Sequence, residues 1–141
     1  MKRNTKGFTL IELLAVIVVL AIIALIATPI VLNLINTARR GAAESSATAY
    51  VKGVENAVLS TMVQNTDSVI CASYDVKDKT ITCTDATEKG NVGGVLTVDV
   101  DGTVPTSGKI NFTDRSVSSA TFKIGSYDIT YKDGKSTAAK E

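Results

Sequence analysis

The stretch that decides the fold is GFTLIELLAVIVVLAIIALIATPIVLNLI, residues 7–35. Three basic residues lie within the six positions before it, and the fifteen residues from Leu13 to Ala27 carry no formal charge or strongly polar group. As one helix, residues 8–35 would be about 42 Å long at a rise of about 1.5 Å per residue. That length exceeds the roughly 30 Å hydrocarbon core of a bilayer. The pattern predicts a membrane-spanning helix with its basic end on the cytoplasmic side.

Two residues interrupt the simple picture of an apolar anchor. Glu12 lies near the start of the segment, where an ionisable side chain is costly and usually has a partner. The alternative is a position at the cytoplasmic interface, in contact with water or lipid headgroups. Pro29 removes a backbone donor, so a kink or local unwinding is expected near Ala24–Pro29. The alternative there is a plain anchor in which the proline has no effect.

A cleavable secretory signal is disfavoured, because no A-x-A site directly follows the apolar core.

Composition excludes several classes of function. The chain has no His, which excludes Ser-His-Asp and Cys-His catalysis and His-ligated metal sites. A net charge of +1 and the absence of Trp argue against direct binding of nucleic acid. Asp99 and Asp101 have the spacing of a calcium loop but lack the distal glutamate, so they are interpreted as a turn. We predict no enzymatic activity, no catalytic residue, no metal and no cofactor.

Residues 36–64 are predicted to continue the helix beyond the membrane. An apolar stripe at helical spacing would pack on a sheet; it comprises Tyr50, Val51, Val54, Val58 and Met62. Small residues recur at similar spacing, and they indicate either tolerance in a long helix or close approach of other helices; they are Ala38, Ala42, Ser45, Ala49 and Ala57. Gly41 and Gly53 are expected to weaken the helix by about 1 kcal/mol each relative to Ala. Residues 65–68 are expected to end it.

Residues 65–141 change to a period of two, which predicts an antiparallel sheet with one covered face. Strands are expected at Ser68–Tyr74 and Lys79–Thr84, around a turn at Asp75–Asp78. Alternating apolar residues predict further strands; they are Leu96, Val98 and Val100, then Ile110 and Phe112, then Ala120, Phe122 and Ile124, then Tyr127, Ile129 and Tyr131. The last residues, Lys135–Glu141, are expected to fray. The class is therefore α+β: a long N-terminal helix packed against a small antiparallel sheet.

Cys71 and Cys83 flank the predicted Asp75–Asp78 turn at equal distances. Opposed cysteines on the two strands could form a cross-strand disulfide, which an exported domain would allow. The alternative is two buried free thiols.

The N-terminal motif resembles that of a type IV prepilin. The resemblance rests on the short basic leader, on GFTLIE at residues 7–12 and on the apolar helix containing Pro29, and it covers about Met1–Arg40. It implies that residues 1–7 are a leader, which a prepilin peptidase removes by cleavage between Gly7 and Phe8. It also implies N-methylation of Phe8 and a contact between Glu12 and the terminal amine of a neighbouring Phe8 in a filament.

The resemblance implies a homo-oligomeric pilus filament for attachment, motility or DNA uptake. Its other expected partners are the membrane before assembly and the pilus assembly machinery. The subunit would lie in the cytoplasmic membrane with its C-terminal domain outside, and would then be extracellular in the filament. One alternative is a pseudopilin of a secretion or competence machine. An alternative of another class is a monomeric adhesin anchored by a single membrane span.

Overall fold

The computed structural model describes residues 7–64, 69–84 and 94–140. The described residues form one helix, α1 (Leu10–Gln64), followed by seven strands. The strands are β1 (Ser73–Lys77), β2 (Thr80–Cys83), β3 (Val95–Thr97), β4 (Ser107–Thr113), β5 (Ser116–Ile124), β6 (Tyr127–Lys132) and β7 (Lys135–Lys140). The predicted helix end at residues 65–68 lies outside the described residues. The α+β class expected from the sequence is confirmed.

The chain divides into two compact units, the first extending to Ala38 and the second starting at Arg39. In the first unit the described residues from Leu10 onward are helical, and the large apolar side chains of that helix are exposed. The second unit contains the rest of α1 and the whole sheet. Its part of the helix has a buried face formed by Ala43, Ala47, Tyr50, Val51, Val54 and Val58. Four members of the predicted apolar stripe are thus buried, whereas Met62 is half-buried.

The sheet has the strand order β3-β2-β1-β4-β5-β6-β7, and every neighbouring pair is antiparallel. Tight two-residue turns join its hairpins. Asp114 and Arg115 between β4 and β5, and Asp133 and Gly134 between β6 and β7, all have positive φ. Two left-handed residues in succession match the right-handed twist of the flanking strands, so these turns set the register of both hairpins.

The core lies between the buried helix face and one face of the sheet. Tyr50 on α1 is fully buried and meets the ring of Phe122 edge to face, with centroids 5.6 Å apart. Its hydroxyl donates to the main-chain oxygen of Asp78 at 3.0 Å. Burial, together with the nearby Asp78 charge, raises the pKa of Tyr50. This residue therefore anchors the helix both to the middle of the sheet and to the β1–β2 turn.

The structure corrects the position of the first hairpin. Its turn is at Asp78 and Lys79, so Tyr74, and not Cys71, lies opposite Cys83. Asp78 has a φ of 53°, a left-handed conformation that Asp tolerates better than most residues. The predicted turn at Asp75–Asp78 was therefore wrong by about two residues.

The disulfide nonetheless joins Cys71 to Cys83, with Cα atoms 5.9 Å apart. Cys71 lies before β1 begins, so the bond connects the approach to the sheet with the end of β2 and is not a cross-strand pair. Its main-chain N–H donates to the hydroxyl of Tyr74 at 3.1 Å.

Two further strand predictions differ from the structure. The C-terminal residues expected to fray form β7, which pairs with β6 over six register positions from Lys135 to Lys140. The Asp-Gly turn before them brings this polar strand back alongside β6, and main-chain pairing holds it there. The strand expected through Val98 and Val100 ends at Thr97, although Val98 is fully buried and its N–H donates to Lys79 O at 2.7 Å.

Candidate functional site

The start of α1 forms a reciprocal hydrogen-bonded cap between Thr9 and Glu12. The Thr9 main-chain N–H donates to Glu12 Oε2 at 2.8 Å, and the Thr9 hydroxyl donates to the same oxygen at 2.6 Å. The Glu12 N–H in turn donates to Thr9 Oγ1 at 3.4 Å. This arrangement is a capping box, in which a residue before the helix and one three positions later satisfy each other's free N–H groups. The carboxylate also lies at the positive end of the helix dipole.

The sequence pattern predicts that the Glu12 charge has its partner on a neighbouring subunit. That prediction did not include Thr9, a partner within the same chain. The signal was available, since Thr9-Leu10-Ile11-Glu12 has the T-x-x-E spacing of a capping box. An ionised carboxylate offers about four acceptor positions on two oxygens. Within the described residues both hydrogen bonds that the Glu12 carboxylate accepts use Oε2, so Oε1 remains able to accept from another group. The predicted contact with a neighbouring amine stays a prediction.

Gly7 and Phe8 lie immediately before this cap and outside the helix. Phe8 is 88% exposed, and within the described part of the chain no atom outside Gly7 and its immediate neighbours lies within 4 Å of where a Cβ on Gly7 would be. A peptide bond in such a position is open to approach from solvent. Cleavage between Gly7 and Phe8, and methylation of Phe8, remain predictions.

The helix after the cap exposes an almost continuous apolar surface. By length and composition α1 is the one described helix able to cross a membrane. Exposed apolar patches larger than a few hundred Å² are rare on soluble monomers and mark surfaces that contact protein or membrane. At Pro29 the helix is continuous in the structure, and the preceding Thr28 hydroxyl donates to Ala24 O at 2.7 Å. The kink expected near Pro29 stays a prediction.

Two carboxylates on α1 dock the helix to the sheet, and no local sequence pattern indicates either role. Glu44 Oε1 accepts the main-chain N–H of Ala138 on β7 at 2.9 Å. Glu55 Oε1 accepts the N–H of Val117, also at 2.9 Å, where the β4–β5 register shifts. The two glutamates are eleven positions apart, about three helical turns, so they lie on one side of the helix. Each satisfies a main-chain donor that the sheet ladder leaves unpaired.

Glu44 also forms an ion pair with Arg40, with Arg40 Nε 3.1 Å from Glu44 Oε1. The Ala138 N–H, followed by Arg40, holds the pKa of Glu44 below its ordinary value. One turn further along the helix, the Thr48 and Ser136 hydroxyls lie 2.8 Å apart. These contacts fix the edge strand β7 against the helix.

The described residues contain no group of three or more Cys, Asp or Glu side chains placed to hold a metal ion. One cleft on the second unit lies between Asn56 and Ser60 on the helix and the edge strand β3. The arrangement with the clearest chemistry is therefore the N-terminal segment, with its exposed peptide bond, capped carboxylate and apolar helix.

Residues 2–28 match the family described as the prokaryotic N-terminal methylation motif. This motif is the type IV prepilin-like signature, so the resemblance seen in the sequence is confirmed for this segment. No curated protein and no solved structure matched the chain. The motif indicates a type IV pilin-like or pseudopilin protein, and its family is structural, not enzymatic. It implies processing by a prepilin peptidase and filament assembly in general, and the long apolar helix fits anchoring in a membrane before assembly.

Proposed function

We propose that this chain is the structural subunit of a type IV pilus filament that serves attachment, motility or DNA uptake. A prepilin peptidase cleaves between Gly7 and Phe8, and the new terminus at Phe8 is methylated. Residues 8–35 hold the subunit in the cytoplasmic membrane until the assembly machinery moves it into a filament. There the Glu12 carboxylate accepts a hydrogen bond from the terminal ammonium of a neighbouring Phe8.

The observation that carries this proposal is the arrangement of Glu12 at the end of an exposed apolar helix. Its Oε2 is occupied by the Thr9 cap, whereas Oε1 has no hydrogen bond within the described residues. Cleavage after Gly7 would create an ammonium group four residues before this carboxylate, which is the opposite charge that the free oxygen requires. In a helix bundle that excludes water this pairing is strengthened, and an unpaired carboxylate is penalised.

The apolar helix supports the same proposal on energetic grounds. Burial of one exposed Leu, Ile or Val side chain stabilises an assembly by about 1.5–3 kcal/mol. The first unit exposes many such side chains on all sides of one helix. A surface of this kind is stable in lipid or among sister helices and unstable in water. Assembly into a filament core replaces the lipid around it with sister helices.

The test combines intact mass with imaging of material sheared from cells. We expect the native chain to lack residues 1–7, to carry one added methyl group and to be present in long surface fibres. A Gly7→Leu variant should keep residues 1–7 and remain in the membrane, because it removes the glycine of the proposed cleavage motif.

The two alternatives give different results in the same experiment. Processed protein that stays within the cell envelope, without surface fibres, would support a pseudopilin. An unprocessed native chain beginning at Met1 and never found in fibres would contradict both pilin-like functions and favour a monomeric anchored adhesin.

A further inference from the structure

The two edges of the sheet are protected to different degrees. At the β7 edge the N–H of Ala138 donates to Glu44 Oε1 at 2.9 Å, so it is turned away from β6 and held by the helix. Lysines lie at both ends of this strand, at Lys135 and Lys140. Charged side chains and cover by another element are features that block the pairing of a further strand. The β7 edge is therefore closed to an added strand.

The β3 edge lacks this protection within the described part of the chain. The strand, Val95–Thr97, contains no charged residue and no proline, and Val95 is 65% exposed. Main-chain groups of alternate residues in a strand point to the same side. Because the N–H of Val98 donates to Lys79 O on the side of β2, the main-chain groups of Val95 and Thr97 point outward. Among the described residues no hydrogen bond satisfies these outward groups.

A groove lies beside this open edge, between β3 and α1. Its helix side includes Gly53, Ala57 and Ser60, and its sheet side includes Leu96 and Thr97. Leu96 is half-buried and packs against the core. A strand added to β3 would place alternate side chains toward the helix and the others on the outer face of the sheet. An apolar side chain on the helix side would continue the core past Leu96.

A single negative charge follows β3 on the outer face. The side chains of Val98 and Val100 both approach Gly53, so the side chain of Asp99 between them points the other way. Asp99 is exposed, and no cation of residues 7–64, 69–84 or 94–140 forms an ion pair with it. A basic side chain on the outer face of an added strand would lie close to this carboxylate.

We propose that the β3 edge binds an extended peptide segment of a partner protein as an eighth strand. The segment forms main-chain hydrogen bonds with Val95 and Thr97, which is the mode of recognition known as strand addition. It carries an apolar residue on the side of the groove and a basic residue beside Asp99. This site goes beyond the proposed function, because neither cleavage at Gly7 nor packing of the apolar helix uses it.

A second copy of this chain fits the edge less well. Its β7 edge is closed by Glu44 and by lysines. Antiparallel pairing of two β3 strands relates the copies by a two-fold axis perpendicular to the sheet, and the part of α1 packed on the sheet would then run in opposite directions in the two copies. Copies inserted into one membrane with the same orientation have parallel helices. The geometry therefore favours a segment of another protein.

The test measures the binding of a short synthetic peptide that alternates valine with threonine and lysine. The peptide carries fluorescein, and the full chain in a nonionic detergent is titrated into it while fluorescence anisotropy is read. The matched control peptide has a proline at its centre, which removes a main-chain donor and breaks the strand. We expect saturable binding of the first peptide and binding at least about tenfold weaker for the control peptide.

Two variants of Thr97 separate main-chain pairing from side-chain contact. Thr97→Pro removes only the outward N–H and leaves the bonds to β2 in place, whereas Thr97→Val keeps that N–H beneath a side chain of the same shape. We expect Thr97→Pro to bind the peptide about three- to tenfold more weakly than Thr97→Val does. Asp99→Asn should weaken binding about threefold at low ionic strength and have little effect at about 1 M salt.

Absence of saturable binding to the wild-type chain, or equal affinities of Thr97→Pro and Thr97→Val, would overturn the inference. If Thr97→Pro does not fold, the two peptides decide, because equal binding of both overturns strand addition and selective binding of the first supports it. Wild-type affinity of Asp99→Asn at low ionic strength would overturn the role of the basic residue. Self-association of the peptide-free chain that Thr97→Val keeps and Thr97→Pro loses would assign the edge to a second copy and overturn the proposal. None of these results depends on whether the chain is processed or found in fibres, so a failure here leaves the proposed function untouched.

Discussion

Replacing Gly53 by alanine has two opposing effects on stability, one through helix propensity and one through packing. The contacts of Gly53 in the structure determine which effect is larger. In a free helix the change should stabilise by about 1 kcal/mol, because glycine has the greater conformational entropy to lose. In this fold a Cβ at Gly53 would overlap Val100 Cγ1 and lie 3.0 Å from Val98 Cγ1. The segment at Val98 cannot easily move away, because its N–H is held by Lys79 O.

Forcing a methyl group into a packed contact typically costs about 1–3 kcal/mol. The gain in helix propensity offsets about 1 kcal/mol of this cost, so Gly53→Ala should lower the free energy of unfolding by about 1 kcal/mol. For a unit of this size that corresponds to a fall in Tm of about 4 °C. The matched control is Gly41→Ala, because among the described residues nothing beyond the neighbouring helix backbone lies within 4 Å of its added Cβ. That change should stabilise by up to about 1 kcal/mol.

The assay is thermal unfolding of the full chain in a mild detergent, followed by near-ultraviolet circular dichroism of its tyrosines. Tyr50 and Tyr74 each contact a phenylalanine ring edge to face, so their signal reports packing in the second unit. The reasoning is refuted if Gly53→Ala unfolds at or above the wild-type temperature.

Three further predictions concern charge, pH and the disulfide. Glu12→Ala should leave membrane insertion intact and reduce fibre recovery from sheared cells; normal recovery would remove this carboxylate from assembly. The folded pKa of Glu44 is lowered, so its contribution to stability is present above its unfolded pKa and is lost as pH falls through the folded value. Acid titration of Tm should therefore be shallower for Glu44→Gln than for wild type, and identical slopes would contradict this. Reducing the Cys71–Cys83 bond releases a short loop and should cost about 3 kcal/mol on the chain-entropy estimate; an unchanged Tm after reduction and alkylation would contradict that estimate.

The elements that the sequence predicted well depend on local patterns. The helix to Gln64 and the strands containing Ile110, Phe122 and Ile129 follow from periodicities that each segment carries by itself. The first hairpin was misplaced because Asp75–Asp78 contains several good turn residues, and only pairing with β4 and β2 selects Asp78-Lys79 as the turn. The last strand was missed because its residues are polar, and main-chain pairing holds it instead of apolar alternation.

The features of the candidate site likewise divide into those that local sequence determines and those that tertiary contacts determine. The cleavage motif, the apolar helix and the Thr9–Glu12 cap lie within a few turns of chain, so residue order alone determines them. The docking glutamates could not be identified in this manner, because Glu44 and Glu55 find their donors 94 and 62 residues away. Likewise, the sequence alone indicates only that Gly53 weakens the helix. The structure shows that the segment at Val98 packs against it. Helix formation and hydropathy are properties of neighbouring residues, whereas the partner of a carboxylate and the space beside a glycine depend on which distant segments the folded sheet brings into contact.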